Sequence, residues 1–238
     1  MTESASPYQG SELELFAEAH RWKSYLRERL ARHLRGDVLE VGSGIGSTTK
    51  ALCTPAVRSW TALEPDPVLS QLAVSADGDS PITIQVRHRV GTLADLEPRP
   101  SFDTIAYVDV LEHIADDRGE LEKAAEILRP SGRLVVLAPA HQWLFTPFDS
   151  AIGHYRRYGR AALRSLTPPT LELEHLYFLD SAGLLASAGN RLFLRSAQPT
   201  LSQIKLWDRV LVPISRVLDP LLGRRVGKSI VAIWVKRA

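Results

Sequence analysis

The sequence predicts a doubly wound α/β fold, a parallel sheet with helices on both faces, and three observations lead there. From Asp37 onward short apolar runs alternate with helical stretches, the pattern of strands buried on both sides. The first run feeds directly into a glycine-rich loop and then a helix start, which places a ligand edge at the carboxyl ends of the strands. At 238 residues and 45% hydrophobic composition, the chain is long enough to bury a large core and near the upper limit for one domain.

Residues 1–10 are small and polar and read as a flexible arm. Ser11 and Glu14 form a capping box. Leu15, Ala19, Trp22, Leu26 and Leu30 follow at helical spacing, so one helix is expected to about Leu34, ended by Gly36. Strands are expected at Asp37–Val41, Trp60–Glu64, Ile82–Val86, Thr104–Asp109 and Arg133–Ala138. A helix is expected at Leu121–Leu128, ended by the breaker Arg129-Pro130-Ser131-Gly132. Leu171–Leu179 and Ser229–Val235 read as two more strands, and Arg160–Leu166 as a helix. The long connection between those last two strands must carry structure of its own. Ile204, Trp207, Leu211, Ile214 and Leu218 make it helical, with a break near Pro213. The expected organisation is an N-terminal arm and cap helix (1–36), a ligand-binding core with a substrate loop at 140–160 (37–180), and a helical insertion with the final strand of the same domain (181–238).

Composition narrows the function. Twenty-nine Lys and Arg against 27 Asp and Glu leave a net charge of +2, which argues against a general nucleic-acid binder. The single Cys53 supports no internal disulfide framework. No basic-then-apolar leader opens the sequence, and no run approaches the roughly 18 to 20 apolar residues of a membrane span. A soluble, cytoplasmic protein is expected, without an integral membrane segment.

The loop Gly42-Ser43-Gly44-Ile45-Gly46 follows the first strand, where glycines let a ligand approach backbone N–H groups. Its spacing, G-x-G-x-G, is one residue short of the dinucleotide fingerprint and tilts the choice away from NAD. Glu64 closes the second strand 18 residues after Gly46, where a carboxylate can accept from ribose hydroxyls. Loop and acid together point to an adenosine-type ligand.

V-L-E-V-G-S-G-I-G, A-L-E-P-D-P, F-D-T-I-A-Y-V-D-V-L-E-H-I and L-R-P-S-G-R-L-V-V-L-A-P occur in that order over Asp37 to Pro139. Together they resemble the motifs of class I S-adenosylmethionine-dependent methyltransferases. The resemblance implies a Rossmann-like seven-stranded sheet with helices on both faces and S-adenosylmethionine as cofactor. It implies that Glu40, Gly42, Ser43 and Gly44 line the methionine and ribose side, that Glu64 holds the ribose and that Pro65 flanks the adenine. Many relatives carry Gly-Asp where this chain has Gly91-Thr92-Leu93, leaving Thr92 and Leu93 to frame the ring.

Asp109, Glu112 and His113 stand at spacing i, i+3, i+4 after the fourth strand and share a face if a helical turn starts there. Asp109 either caps that turn or meets the methionine end of the cofactor, and His113 is a candidate general base. D-x-x-E-H followed later by G-H-Y-R-R-Y, which contains His154, is also similar to the divalent-metal ligand pattern of ubiquinone-pathway O-methyltransferases and small-RNA 2′-O-methyltransferases. That likeness leaves Asp109, Glu112, His113 and His154 as candidate metal ligands, with His154 the second candidate base.

The connection after the fifth strand leaves the ligand edge and is placed to close over an acceptor. His141, Trp143, Arg157 and Tyr158 are its candidate substrate contacts, against a plain reading as a solvated basic loop. P-A-H to R-R-Y, F-L-D-S-A-G and G-K-S-I resemble a bacterial subgroup of the same methyltransferases. The expected activity is methyl transfer to a small-molecule acceptor at oxygen, with carbon as a further option. Two alternatives are an NAD-dependent oxidoreductase and a membrane-surface-associated methyltransferase of a lipid-linked or isoprenoid acceptor. The latter rests on Arg191, Arg195, Arg209, Arg216, Arg224 and Arg225 scattered among apolar residues.

Overall fold

A computed structural model describes residues 12–77, 84, 86–96, 101–189 and 200–237. Helices α1 (Glu12–Ala17) and α2 (His20–Leu30) lead into β1 (Gly36–Val41), α3 (Ser47–Leu52), β2 (Val57–Glu64), α4 (Pro67–Asp77), β3 (Val86–Val90) and β4 (Phe102–Val108). Then come α5 (Asp117–Glu126), β5 (Leu128–Pro139), α6 (Pro147–Ala151), α7 (Arg160–Ser165) and β6 (Leu171–Leu179). Helices α8 (Ser181–Gly189), α9 (Leu201–Leu206) and α10 (Val212–Leu221) precede β7 (Ser229–Lys236).

The strands form one seven-stranded sheet in the order β3-β2-β1-β4-β5-β7-β6, with β7 antiparallel to both of its neighbours. The first five strands are parallel, so their carboxyl ends open on one edge. Alternate residues feed two cores. Val38, Trp60, Ala62, Val135 and Ile233 meet α2 and the segment Ile204 to Val212 on one face. Leu39, Leu63, Ile105, Val136 and Trp234 meet α5 and α7 on the other. The two-sided covering and the helical insertion between the last two strands are therefore as the sequence predicts.

Several boundaries differ. The single expected first helix is broken at Glu18–Ala19, because a distant side chain starts α2. Asp208 accepts from the backbone N–H of Arg21 at 3.2 Å and of Trp22 at 2.8 Å, supplying the cap that Ala19 does not offer. Ser11 lies outside the described residues, as do Ile82 and Thr83, where the third strand was expected. That strand instead runs over Val86–Val90. Among the described residues it pairs only with β2, and an edge strand tolerates the alternating charges of Arg87 and Arg89 that hide it from a search for apolar runs. Helix α5 starts four residues before Leu121. Residues 129–132 loop out within β5, since Phe102 pairs with Leu128 while Thr104 pairs with Arg133. The break near Pro213 is a π-helical turn over Trp207–Leu211. Among the described residues no helix is long and apolar enough to cross a membrane.

Candidate active site

The glycine loop sits at the carboxyl ends of β1 and β2 and turns through a left-handed Gly42, φ +71°. A Cβ there would stand 2.6 Å from the Val110 side chain, so only glycine fits. The loop amides expected to face a ligand are largely spent inside the protein. Gly42 and Ser43 donate to the Leu63 carbonyl at 2.7 and 3.1 Å, and Gly44 donates to Glu64 Oε2 at 2.7 Å. What the loop offers instead is a close-approach surface and the hydroxyl of Ser43, buried without a hydrogen-bond partner. A buried polar atom in that state fits a bound ligand that is polar there.

Glu64 joins loop and second strand. Its other oxygen accepts from the Asp66 amide at 3.1 Å, and burial raises its pKa above the usual carboxylate value. Glu40 lies on the α2 side of the sheet, where Thr49 Oγ1 donates to it and Trp60 Nε1 donates at 3.0 Å. Desolvation pushes it up to about 7. Pro65 is exposed just beyond Glu64. Thr92 is tied to Asp95, which accepts from its amide and its hydroxyl at 2.8 Å each, while Leu93 is buried in the core. The acid absent at position 92 is thus present three residues later but engaged locally.

Asp109 follows β4 in a left-handed conformation, φ 54°. Leu111–His113 form a 3-10 turn rather than the start of an α-helix, so the three polar residues do not share one helical face. Asp109 is exposed just beyond β4. The protein crowded around its carboxyl raises it to about 6 against the pull of His154, Lys228 and Arg157. Glu112 is fully buried with neither carboxyl oxygen hydrogen-bonded, and desolvation, with Asp109 adding to it, raises its pKa far above normal.

His113 and His154 meet edge to face, ring centres 4.5 Å apart. Burial, with His154 second, holds His113 down at about 4. His154 Nδ1 lies 3.0 Å from Asp149 Oδ1, and its Nε2 lies 3.8 Å from Glu112 Oε1. Asp149 also accepts from the Thr146 amide and hydroxyl and from both edges of the Arg157 guanidinium. Burial opposes its ionisation, but these contacts outweigh burial and hold it at about 2. Glu112, His113 and His154 present ligand atoms within 4.8 Å of one another, a carboxylate and imidazole set suited to a divalent cation. Asp109 does not belong to that group.

The substrate loop divides. His141, with φ 66°, stacks on Phe178 at 5.0 Å, and its Nε2 lies 3.0 Å from the Gly227 carbonyl oxygen. Trp143 leans on it from 5.8 Å and is half exposed, so this pair forms an accessible wall. Arg157 and Tyr158 differ from expectation. Arg157 is clamped on Asp149. Tyr158 is 1% exposed, its hydroxyl donating to the Leu111 carbonyl at 3.1 Å and engaging Asp117 at 2.9 Å. Both brace the site from behind. Two residues escaped sequence reasoning. Asp149 orients His154, and Lys228 is close enough to Asp180, Asp109, Asp149 and Arg157 for their charges to act on it, although burial depresses its pKa. The G-K-S-I string marks Lys228 in sequence, but only folding gathers its neighbours.

Comparison with known proteins agrees with this geometry. Residues 14–188, about three quarters of the chain, match a family described as a methyltransferase domain. A ubiquinone biosynthesis O-methyltransferase of Bradyrhizobium diazoefficiens is 29% identical over 107 residues, 44% of this chain and 41% of that protein. One of Xylella fastidiosa is 36% identical over 102 residues, 42% of this chain and 40% of that protein. The matched region spans about two fifths of these curated relatives. A solved geranyl diphosphate methyltransferase in complex with S-adenosylmethionine superposes with TM-score 0.65 at 17% identity, covering 98% of this chain and 93% of that one, which speaks for the fold alone. The family match sets aside the nicotinamide alternative, and with the strand order and the glycine loop it shows that this chain belongs to the class I S-adenosylmethionine-dependent methyltransferases.

Proposed function

We propose that this chain transfers the methyl group of S-adenosylmethionine to an oxygen atom of a small-molecule acceptor. The observation that carries the reading is the Asp149–His154 pair at 3.0 Å, set on the edge of the sheet that also bears the Glu64–Gly44 contact. In the reaction an oxygen–carbon bond forms as the carbon–sulfur bond breaks, S-adenosylhomocysteine leaves and the acceptor proton must go to a base. His154 Nε2 takes it while the ionised Asp149 steadies the resulting imidazolium. His113, held neutral, packs against that ring. Ser43, Gly44, Glu64, Pro65, Thr92, Leu93 and Asp109 line the cofactor side, and Glu40 and Gly42 shape the loop from beneath. Trp143 and His141 wall the acceptor. Alignment of acceptor, methyl and sulfur supplies several kcal/mol of the acceleration.

The unpartnered Glu112 oxygens favour a second reading, in which Glu112, His113 and His154 hold a divalent cation. Such an ion supplies a Lewis acid that lowers an acceptor hydroxyl pKa. The exposed apolar residues Leu206, Val210, Ile214, Val217 and Leu221 support action at a membrane surface on a lipid-linked or isoprenoid acceptor. Mass spectrometry of the purified protein for retained S-adenosylmethionine or S-adenosylhomocysteine, with metal analysis of the same sample, tests the core of the proposal. Calorimetry showing no S-adenosylmethionine binding would refute it. Metal absent after dialysis against Mg²⁺, Mn²⁺ and Zn²⁺ would remove the second reading. Unchanged turnover in His154→Ala would point to a carbon acceptor instead.

A further inference from the structure

The opposite edge of the sheet carries a cavity of about 370 Å³ lined by Arg29, Arg32, Glu174, His175, Tyr177 and Arg224, among others. Arg29 and Arg32 stand at the end of α2 and just beyond it, His175 and Tyr177 on β6, and Arg224 in the turn after α10. In the strand order β6 is four steps from β1, roughly 19 Å at about 4.8 Å per step. The cavity is therefore remote from the glycine loop, and Tyr177 on its wall packs on the α2 face of the sheet while Phe178, which carries the His141 wall, packs on the other face.

Three donors along its wall lack partners. Arg29 Nε, Arg224 Nε and the Tyr177 hydroxyl are each buried without a hydrogen bond, and donors in that state are satisfied by a bound guest or by ordered water. Among the described residues, no carboxylate pairs with Arg29, Arg32 or Arg224. Glu174 is the one acid on the wall, and Arg133 holds it at 3.3 Å. The field is positive. Burial first, then Arg32, His175 and Arg133, press the His33 imidazole down to about 4. His33, Glu174 and His175 also have the spacing of a metal group, but Arg32 Nε donates to His33 Nε2 at 2.9 Å, and the orphaned nitrogens have hydrogens to give and no lone pairs. The cavity is thus built for an anion. Planar guanidinium groups match the paired oxygens of a phosphate, and the volume exceeds what one inorganic ion fills.

We propose that this cavity is a second ligand site, for a phosphate or diphosphate ester. Two sources share that chemistry, a soluble organophosphate and a lipid headgroup. The exposed Leu221, Leu222 and Val226 flank Arg224 in the chain and would lie against the acyl region in the second case.

Titration of the full chain with pyrophosphate, followed by calorimetry and ³¹P NMR, is expected to show saturable binding. Binding should weaken about tenfold or more in an Arg29→Gln/Arg224→Gln double variant. It should weaken several-fold in Tyr177→Phe, which removes only the hydroxyl. Near-UV circular dichroism and S-adenosylmethionine affinity, measured on the same proteins, certify the fold. Flotation with phosphatidylglycerol vesicles, but not with phosphatidylcholine alone, that is blocked by pyrophosphate and lost in the double variant assigns the site to a headgroup. Saturable pyrophosphate binding without flotation assigns it to a soluble ester. Equal pyrophosphate affinity in wild type and well-folded variants, or no saturable binding, overturns the proposal.

Discussion

Because His113 is held near 4, it is uncharged at neutral pH and a weak base, so under the proposed oxygen methylation the base is His154. Replacing His154 with Ala is expected to lower kcat about 10²- to 10⁴-fold, the usual worth of a positioned base, with S-adenosylmethionine affinity unchanged. His113→Gln should cost far less, and steady-state kinetics paired with calorimetry separates the two. Glu40 supports a pH prediction. Its carboxyl titrates at about 7 in the fold against 4.5 for the free group, so the folded state keeps a proton that the unfolded chain has released. Stability from this group is full below about 4.5, declines as pH rises and is gone above about 7. Wild-type Tm should therefore fall more steeply between pH 5 and 7.5 than that of Glu40→Gln. Parallel slopes would show that Glu40 is ionised in the fold. The sequence showed that residues 40, 42, 44 and 64 belong together, since a strand–loop–helix motif is local. It did not show that Glu40 faces Trp60 while Glu64 faces Gly44, because two carboxylates at strand ends look alike until the sheet assigns their sides.

Helix α2 illustrates the same division among elements. Its apolar stripe was legible as Trp22, Leu26 and Leu30, all buried, but its start was not, since the residue that caps it lies 186 positions away. Asp208→Ala should destabilise the protein by about 1–2 kcal/mol through the loss of two capped amides, read from urea unfolding with an unchanged m-value. Asp208→Asn should recover part of that loss. The insertion is anchored by further buried acids. Asp219 accepts from Tyr25 and from the amides of Asp180 and Ser181, and Asp180 accepts from Trp207 and Ser215. No local motif assigns these side chains that role in the sequence, and each joins segments distant in the chain. The outer apolar residues of α9 and α10 are exposed, so Val217→Asp and Leu221→Asp should leave Tm nearly unchanged. If the membrane-surface reading holds, the pair abolishes flotation with anionic vesicles.

For the molecule as a whole, the last strand is also a central one. β7 joins β5 to β6 and places Val231 and Ile233 in one core and Ile230, Ala232 and Trp234 in the other. Ending the chain after Val226 would open two sheet edges and remove five fully buried apolar side chains, the four larger of them each worth about 1.5–3 kcal/mol of transfer free energy. That sum is comparable to the whole stability of an ordinary domain. The truncated protein should lack cooperative thermal unfolding and near-UV dichroism, and a sharp transition in it would show that the first five strands fold unaided.

The sequence by itself determined the sheet, its two-sided burial and the presence of an adenosine-type site, because apolar periodicity and a glycine turn are properties of neighbouring residues. Tertiary structure alone decided that Asp149 orients His154, that Arg157 is clamped on Asp149 and Tyr158 is buried against Leu111 and Asp117, that Lys228 lies over the Trp207 ring, and that Arg29, Arg224 and Tyr177 line one cavity. Apart from the local contacts of Asp149 with His154 and Arg157, these join residues remote in the chain, and charge and hydrogen-bond capacity take on a role only when folding has chosen which groups lose water together.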